Sequence, residues 1–219
     1  MKGLIRTAVV CTLLAVGAAA SPASAGHVNV VTIAGSINPA SSDYIQNAIE
    51  QSESEGAEAL LIELDTPGGL LASTKDIIQA ILNARVPVVV FVSPRGAWAA
   101  SAGTFITLAG HVAAMAPGTS IGAASPVSVS GGGGERDGEE ERTDVSMEKA
   151  EKFTMAFIES IAKVRDRNVE WALSSVRSAE AIPQDEALEL GVIDLVAEDR
   201  ADLLAKIDGM TVETSAGEH

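Results

Sequence analysis

The sequence predicts a single α/β domain, because apolar strands alternate with amphipathic helices along the chain. His27–Ala34, Glu58–Leu64 and Val86–Ser93 are runs of β-branched and other apolar residues without regular polar alternation. Strands of this kind are covered on both faces, as in parallel sheets with crossover helices. Helical patterns over residues 41–54 and 71–84 separate the three strands. A parallel sheet flanked by helices is therefore expected.

The second half of the chain continues this order with shorter elements. We expect a helix within 96–110, a strand over 111–116, helices over 147–164 and 169–178, and a proline-started helix, a glycine stop and a strand within 181–199. Residues 130–144 contain four consecutive glycines and no apolar side chain, which is typical of a mobile, solvated loop. Residues 211–219 are expected to form a C-terminal tail.

The first 25 residues have the pattern of a secretory signal peptide. A positively charged start precedes an apolar run over 7–20, and Ala23 and Ala25 carry the small side chains of a cleavage site. The apolar run is shorter than the roughly 20 residues that a membrane helix needs. We therefore expect an exported chain that begins at Gly26 and works on the periplasmic or extracellular side.

Charge and cysteine content narrow the class of function. Removing the two positive charges of the signal segment takes the formal net charge from −15 to −17. So acidic a protein is a poor partner for nucleic acids and anionic lipid headgroups. Cys11 lies inside the signal segment, so the mature chain has no disulfide and no cysteine ligand. Residues 26–210 are long enough for one substantial core, and no metal or cofactor is indicated.

Three glycine-containing turns follow predicted strands, at 65–69, 99–103 and 118–126. In α/β sheets, functional sites collect at the carboxyl ends of the strands. Gly68 and Gly69 let the backbone approach a ligand and leave amides free as oxyanion donors. None of the turns has a phosphate-binding pattern. Each turn alone is explained by turn chemistry, but their co-occurrence favours a site.

Ser101 is the candidate nucleophile, and two explanations of it are open. It is the only serine in the small-residue stretch 96–110, where an apolar helix begins. It is either the N-cap of that helix, or a nucleophile placed where the helix N-terminus and nearby amides stabilise negative charge.

A serine nucleophile needs a base, and the histidines are poor candidates. His27 and His219 lie near the ends of the mature chain, where fraying is expected. His111 follows a glycine at the start of a strand, where a structural role is favoured. A Ser-His-Asp triad is therefore poorly supported.

Lysine is the alternative base, provided that it is desolvated enough to be neutral. Lys149 precedes Phe153 and Phe157 by four and eight residues, which predicts a position on the apolar stripe of its helix. Lys152 aligns with a polar stripe of Glu148, Glu159 and Lys163. Most lysines belong to solvated faces, and the periodicity makes Lys149 the exception.

The segments 61–69, 96–127 and 186–199 resemble the serine protease domain of the NfeD family in their turns and order. These are membrane-associated, Clp-type proteases encoded beside stomatin-like proteins. The resemblance covers residues 27–210. It implies a ClpP/crotonase-like fold of stacked β-β-α units, and makes 26–210 a ClpP-like serine protease domain with a Ser-Lys dyad.

The resemblance also assigns site residues. The family's Ala-Ser-Ala-Gly motif falls on Ser101, and its base lysine, counted back from the matching Phe-Ile-Glu-Ser-Ile-Ala segment, falls on Lys149. The implied oxyanion donors are the amides of Gly68 or Gly69 and of Ala102. The Clp peptidases have a histidine in the turn at 124–126, and this chain has none. The long loop before the lysine leads us to expect a mobile base and an incomplete site in the free protein.

The resulting interpretation is an exported serine endopeptidase that cleaves apolar segments of membrane-associated proteins. The resemblance implies a peptide or protein substrate, a stomatin- or prohibitin-like membrane partner, and a homo-oligomer, dimeric or larger. Longer family members continue into membrane helices, so membrane association of this chain is expected to pass through a partner. The alternatives are an inactive ClpP-like scaffold and, less favoured because coenzyme A is cytosolic, a crotonase-type thioester enzyme.

Overall fold

The computed structural model describes residues 26–126 and 140–219, and only the backbone of 140–147. The signal segment, 1–25, and most of the loop predicted over 130–144 lie outside the described residues. The backbone is already helical at Glu140. The last five residues of the predicted loop are therefore part of a helix, as their content of glutamate and arginine favours.

Strands and helices alternate in the described part of the chain. The strands are β1 (Val28–Ala34), β2 (Ala59–Asp65), β3 (Val88–Val92), β4 (Trp98–Ala100), β5 (Val112–Met115), β6 (Ser120–Gly122), β7 (Ala181–Pro183), β8 (Leu195–Val196), β9 (Glu213–Thr214) and β10 (Gly217–Glu218). The helices are α1 (Pro39–Glu55), α2 (Leu71–Asn83), α3 (Ala102–Ala109), α4 (Glu140–Val164), α5 (Val169–Arg177), α6 (Gln184–Glu189) and α7 (Arg200–Ile207).

A five-stranded parallel sheet in the order β1-β2-β3-β5-β8 forms the centre of the fold. Successive side chains of β2 and β3 point to opposite faces, so both faces must be covered. Leu60 and Ile62 face a core built with α1 to α5, whereas Leu61 and Phe91 face a smaller core that includes Leu203 of α7. The predicted parallel α/β architecture is confirmed.

A second, three-stranded sheet in the order β4-β6-β7 was not predicted from the sequence. Its strands are only three residues long, too short for a periodicity to be read. An isolated parallel bridge between Thr66 and Ala99 joins the end of β2 to β4. The second sheet thereby brings the start of α3 to the carboxyl end of the central sheet.

Two helices differ in how local sequence and burial explain them. α1 begins at Pro39, two residues before the predicted start, because Asn38 and Ser41 form a reciprocal capping box around a proline at the first position. α3 is buried at all eight residues, so it is a core element rather than a surface helix.

The C-terminal segment is not a frayed tail. Residues 212–219 form the β9-β10 hairpin, in which Val212 and His219 exchange backbone hydrogen bonds of 3.1 and 2.9 Å. The hairpin is docked on the body, because the Ser215 amide donates to the Ala84 carbonyl and the Ser215 hydroxyl to that of Asn83. Across the part of the chain that the structure describes, no helix combines the length and apolarity of a membrane span.

Candidate active site

Ser101 lies between β4 and α3 in a strained backbone conformation. Its φ is 50° and its ψ is −110°, a region that costs a non-glycine residue about 1–3 kcal/mol and is found preferentially at functional sites. Ser101 occupies the N-cap position of α3, yet its side chain makes no capping hydrogen bond. The N-cap explanation of this serine is therefore wrong, and its half-buried hydroxyl is left for another role.

Contacts with β6 hold this junction in place. The Ser101 amide donates to the Gly122 carbonyl at 3.0 Å. The Thr104 hydroxyl, fully buried, lies 2.8 Å from the same carbonyl and 2.9 Å from that of Ala99. These bonds satisfy polar groups that would otherwise be buried unpaired. Thr104 stabilises the strained turn and was missed from the sequence, since it is indistinguishable there from any helix threonine.

The glycine turn after β2 packs directly on Ser101. A β-carbon at Gly68 would lie 2.8 Å from Cβ of Ser101, and one at Gly69 would lie 2.0 Å from the Ile37 carbonyl oxygen. The φ of Gly68, 122°, is also one that favours glycine. Glycine is required at both positions because of these close approaches. Since Gly122 of the turn at 118–126 accepts the Ser101 amide, the structure brings all three predicted glycine turns together.

The two glycine amides differ in their availability. The Gly68 N–H donates to Oγ1 of Thr66 at 3.1 Å. Among the described residues, the N–H groups of Gly69 and Ala102 have no hydrogen-bond acceptor. Because both belong to backbone next to Ser101, they are the free donors of this site. Of the two glycines that the sequence left open, the geometry favours Gly69.

Lys149 is exposed in this chain, so the prediction that it is desolvated on the apolar stripe of its helix is wrong. Among the described side chains of α4, the buried ones are Thr154, Ile158, Ile161 and Ala162, whereas Lys149 is exposed and Phe153 is 64% exposed. The stripe argument failed because, among the described side chains from residue 148 onward, burial begins at Thr154. Within the described side chains, no hydrogen bond joins Lys149 to Ser101.

Helix α4 nevertheless packs against the helix that Ser101 precedes. The rings of Phe157 and Phe105 stack with their centroids 5.8 Å apart. Lys152 lies on the solvent side, as expected, and pairs with Glu148 at 2.5 Å. This hydrogen bond and the charge of Glu148 raise the pKa of Lys152. Lys152 therefore stays protonated at neutral pH and is a poor base.

His111 has a structural role at the other end of α3. Its Nδ1 accepts the Val88 N–H at 3.1 Å, and Arg165 lies 3.1 Å from its Nε2. Burial, and next the charge of Arg165, lower the pKa of His111 to about 4. An eight-residue helix, about 12 Å long, separates it from Ser101. His27 is not frayed as predicted, because its carbonyl accepts the Glu58 amide, and its ring lies 3.7 Å from Glu55.

Two arginines bind the C-terminal carbonyl groups of α3. Arg165 donates to Ala109, and Arg167 donates to Leu108 and Gly110. The guanidinium of Arg167, whose side chain is 3% exposed, also pairs with both carboxylate oxygens of Asp194. Cations at this helix end oppose the negative end of the helix dipole. They fix the helix that carries the free Ala102 amide, and no sequence pattern identified them.

Exposed apolar side chains lie close in sequence to both the glycine turn and Ser101. Leu70 and Leu71, which follow Gly69, are 54% and 50% exposed, and Trp98, three residues before Ser101, is 57% exposed. Grouped exposed apolar residues mark contact surfaces. In the described ranges, no cluster of three histidine or carboxylate side chains has the arrangement of a metal site.

A parallel α/β sheet extended by a small second sheet, with a strained serine before a buried helix and free amides beside it, defines the class of ClpP-like protease domains. Residues 27–212 match the family model described as the NfeD1b N-terminal domain. The chain belongs to this family.

One curated relative and two solved structures illustrate the similarity. The chain is 40% identical over 192 residues to the membrane-bound protease PH1510 of Pyrococcus horikoshii, covering 87% of this chain and 42% of that protein. It therefore spans about two fifths of this curated relative. One solved structure, the 1510-N membrane-bound stomatin-specific protease with one serine replaced by alanine, has a TM-score of 0.76, with 37% identity and 87% and 89% of the two chains covered. Another, with one lysine replaced by alanine and in complex with a substrate peptide, has a TM-score of 0.77, with 36% identity and 89% and 85% covered.

Proposed function

We propose that this chain is a serine endopeptidase in which Ser101 is the nucleophile and Lys149 the base. The observation that carries the proposal is the strained Ser101 held against a glycine turn, with the free amides of Gly69 and Ala102 beside it. The relatives named as proteases support it, since a serine and a lysine were replaced in two of their structures.

The reaction follows from these groups. The Ser101 hydroxyl passes its proton to Nζ of Lys149 as its oxygen attacks the peptide carbonyl carbon. The Gly69 and Ala102 amides donate hydrogen bonds to the resulting oxyanion. The carbonyl oxygen carries this negative charge in the tetrahedral intermediate and not in the bound substrate. Lys149 then returns the proton to the leaving amine, and the carbon–nitrogen bond breaks. Water, deprotonated by the same lysine, releases the acyl group.

The exposed Lys149 requires that α4 closes over Ser101 before catalysis. Lys149 and Phe153 share one exposed face of α4. An apolar ring on that face supports its coverage by another surface. We place that surface in a second copy of the chain, so that the active form is a homo-oligomer. Desolvation of the lysine on closure would favour its neutral, basic form.

The substrate proposed is an apolar segment of a membrane-associated protein. The exposed Leu70, Leu71 and Trp98 beside the site support an apolar substrate. The name of a solved relative, a stomatin-specific protease, supports a stomatin-like partner. The signal-peptide pattern supports action outside the cytoplasm, with membrane contact made through the partner.

A non-catalytic scaffold is the second candidate, favoured by the exposure of Lys149. A serine-reactive fluorophosphonate probe separates the two, with the labelled residue identified by mass spectrometry and peptide cleavage measured alongside. Label on Ser101 together with cleavage that is lost in Ser101→Ala supports the protease. A folded chain that neither reacts with the probe nor cleaves peptides supports the scaffold.

A further inference from the structure

Thr66, which follows the last residue of β2 and lies in the glycine turn at 65–69, is fully buried. Its amide donates to the Trp98 carbonyl at 2.8 Å, and its carbonyl accepts the Ala100 amide at 3.1 Å. Thr66 therefore pairs with the strand that ends directly before Ser101. Its backbone joins the glycine turn to the nucleophile segment.

The Thr66 hydroxyl controls which glycine amide is free. Its Oγ1 accepts the Gly68 N–H at 3.1 Å and lies 3.1 Å from the Gly68 carbonyl oxygen, to which it donates. These two bonds close the turn onto the threonine and occupy the Gly68 amide. The next amide, that of Gly69, is the one left without an acceptor in the described structure.

The Thr66 methyl group contacts the other side of the site. A β-carbon at Gly103 would lie 2.7 Å from Cγ2 of Thr66. The methyl group therefore packs against the first turn of α3, next to Ala102. One buried side chain thus touches both backbone segments that carry free amides.

We propose that Thr66 is a positioning residue for the oxyanion-binding amides, with its hydroxyl orienting the Gly69 N–H. This inference rests on the proposed protease function. Oxyanion donors act mainly in the transition state, so a misplaced donor lowers kcat more than it raises KM. Displacements of about 1 Å in such sites cost on the order of 100-fold in rate.

The test compares Thr66→Val, which keeps the shape and loses the hydroxyl, with Thr66→Ser, which keeps the hydroxyl. The matched control is Thr119→Val, because Thr119 is buried, its hydroxyl donates to the Ala116 carbonyl, and no described hydrogen bond joins Thr119 to Ser101 or to the turn at 65–69. We expect kcat of Thr66→Val to fall by about 10- to 100-fold with KM changed less than about threefold. Thr66→Ser and Thr119→Val should keep kcat within about fivefold.

A second readout is binding of a peptide boronic acid, which forms a tetrahedral adduct with a nucleophilic serine. Thr66→Val should weaken boronate binding about as much as it lowers kcat, and should leave binding of the uncleaved peptide to the Ser101→Ala background unchanged. Equal kcat values for Thr66→Val and Thr119→Val, or an equal loss in Thr66→Ser, would overturn the positioning role alone. A wild-type chain with no cleavage and no boronate binding would overturn the proposed function, and this inference with it.

Discussion

Gly68 and Ser101 are in direct contact: a β-carbon on the glycine would come within 2.8 Å of the serine Cβ and 3.2 Å of its hydroxyl oxygen. The contact explains how two turns about 30 residues apart in the sequence form one site. The space beside Ser101 is kept free by the absence of a side chain, while the amide of the following glycine, Gly69, stays unpaired within the described chain.

Gly68→Ala should therefore reduce peptide cleavage at least about 100-fold, because the new methyl group displaces Ser101 and strains a φ of 122°. Gly191→Ala is the matched control, since Gly191 also has a positive φ but no atom within 4 Å of an added β-carbon. The measurement is kcat/KM with thermal melting of both variants. Equal activity losses in the two glycine variants would show that the contact with Ser101 is unimportant.

The two lysines of α4 should differ in their effect on cleavage. Lys149→Ala should lower kcat/KM about as far as Ser101→Ala, by about 1,000-fold or more, because members of a dyad act as a unit. Lys152→Ala should cost little, since Lys152 pairs with Glu148 in solvent. Both lysines are exposed, so both variants should fold as the wild type does, which circular dichroism checks. Inactivation by Lys152→Ala alone would assign the base to that residue instead.

Arg167→Met should lower the free energy of unfolding by about 3 kcal/mol or more. The change removes the buried guanidinium that donates to the carbonyl groups of Leu108 and Gly110 and pairs with the partly exposed Asp194. Arg85→Ala, which removes an exposed partner of Glu53, should cost less than about 1 kcal/mol. Urea unfolding of both variants is the measurement, and similar losses would contradict a special role for the buried arginine.

The low pKa of His111 predicts how stability depends on pH. In the unfolded chain this group titrates near 6.5, and in the folded chain near 4. Between these values only the unfolded state takes up the proton, so stability falls as the pH drops from about 6.5 to about 4, by up to about 3 kcal/mol. His111→Asn, whose side-chain oxygen can accept the Val88 amide, should remove this part of the dependence. Parallel pH profiles for wild type and variant would contradict the assignment.

The order of strands and long helices could be predicted because each carries its own hydrophobic period. The short strands β4, β6 and β7 could not, since three residues define no period, and they form only by pairing across the fold. The docked hairpin at 212–219 was predicted as a tail because its strands are also too short to show a period. The hairpin is held in place by hydrogen bonds to Ala84 and Asn83, which are far away in the sequence.

The candidate site likewise has features that the sequence predicts and features that it does not. Ser101 and the two glycines could be proposed from the sequence, because a hydroxyl and small residues at strand ends are a recognisable local pattern, and the structure brings Gly68 against Ser101. The sequence by itself thus determined the parallel α/β fold and the segments that meet at its carboxyl edge. Only the tertiary structure decided that Gly69 rather than Gly68 has the free amide, and that Lys149 is exposed. Hydrogen-bond partners and burial depend on residues brought together by folding, and local periodicity carries no information about them.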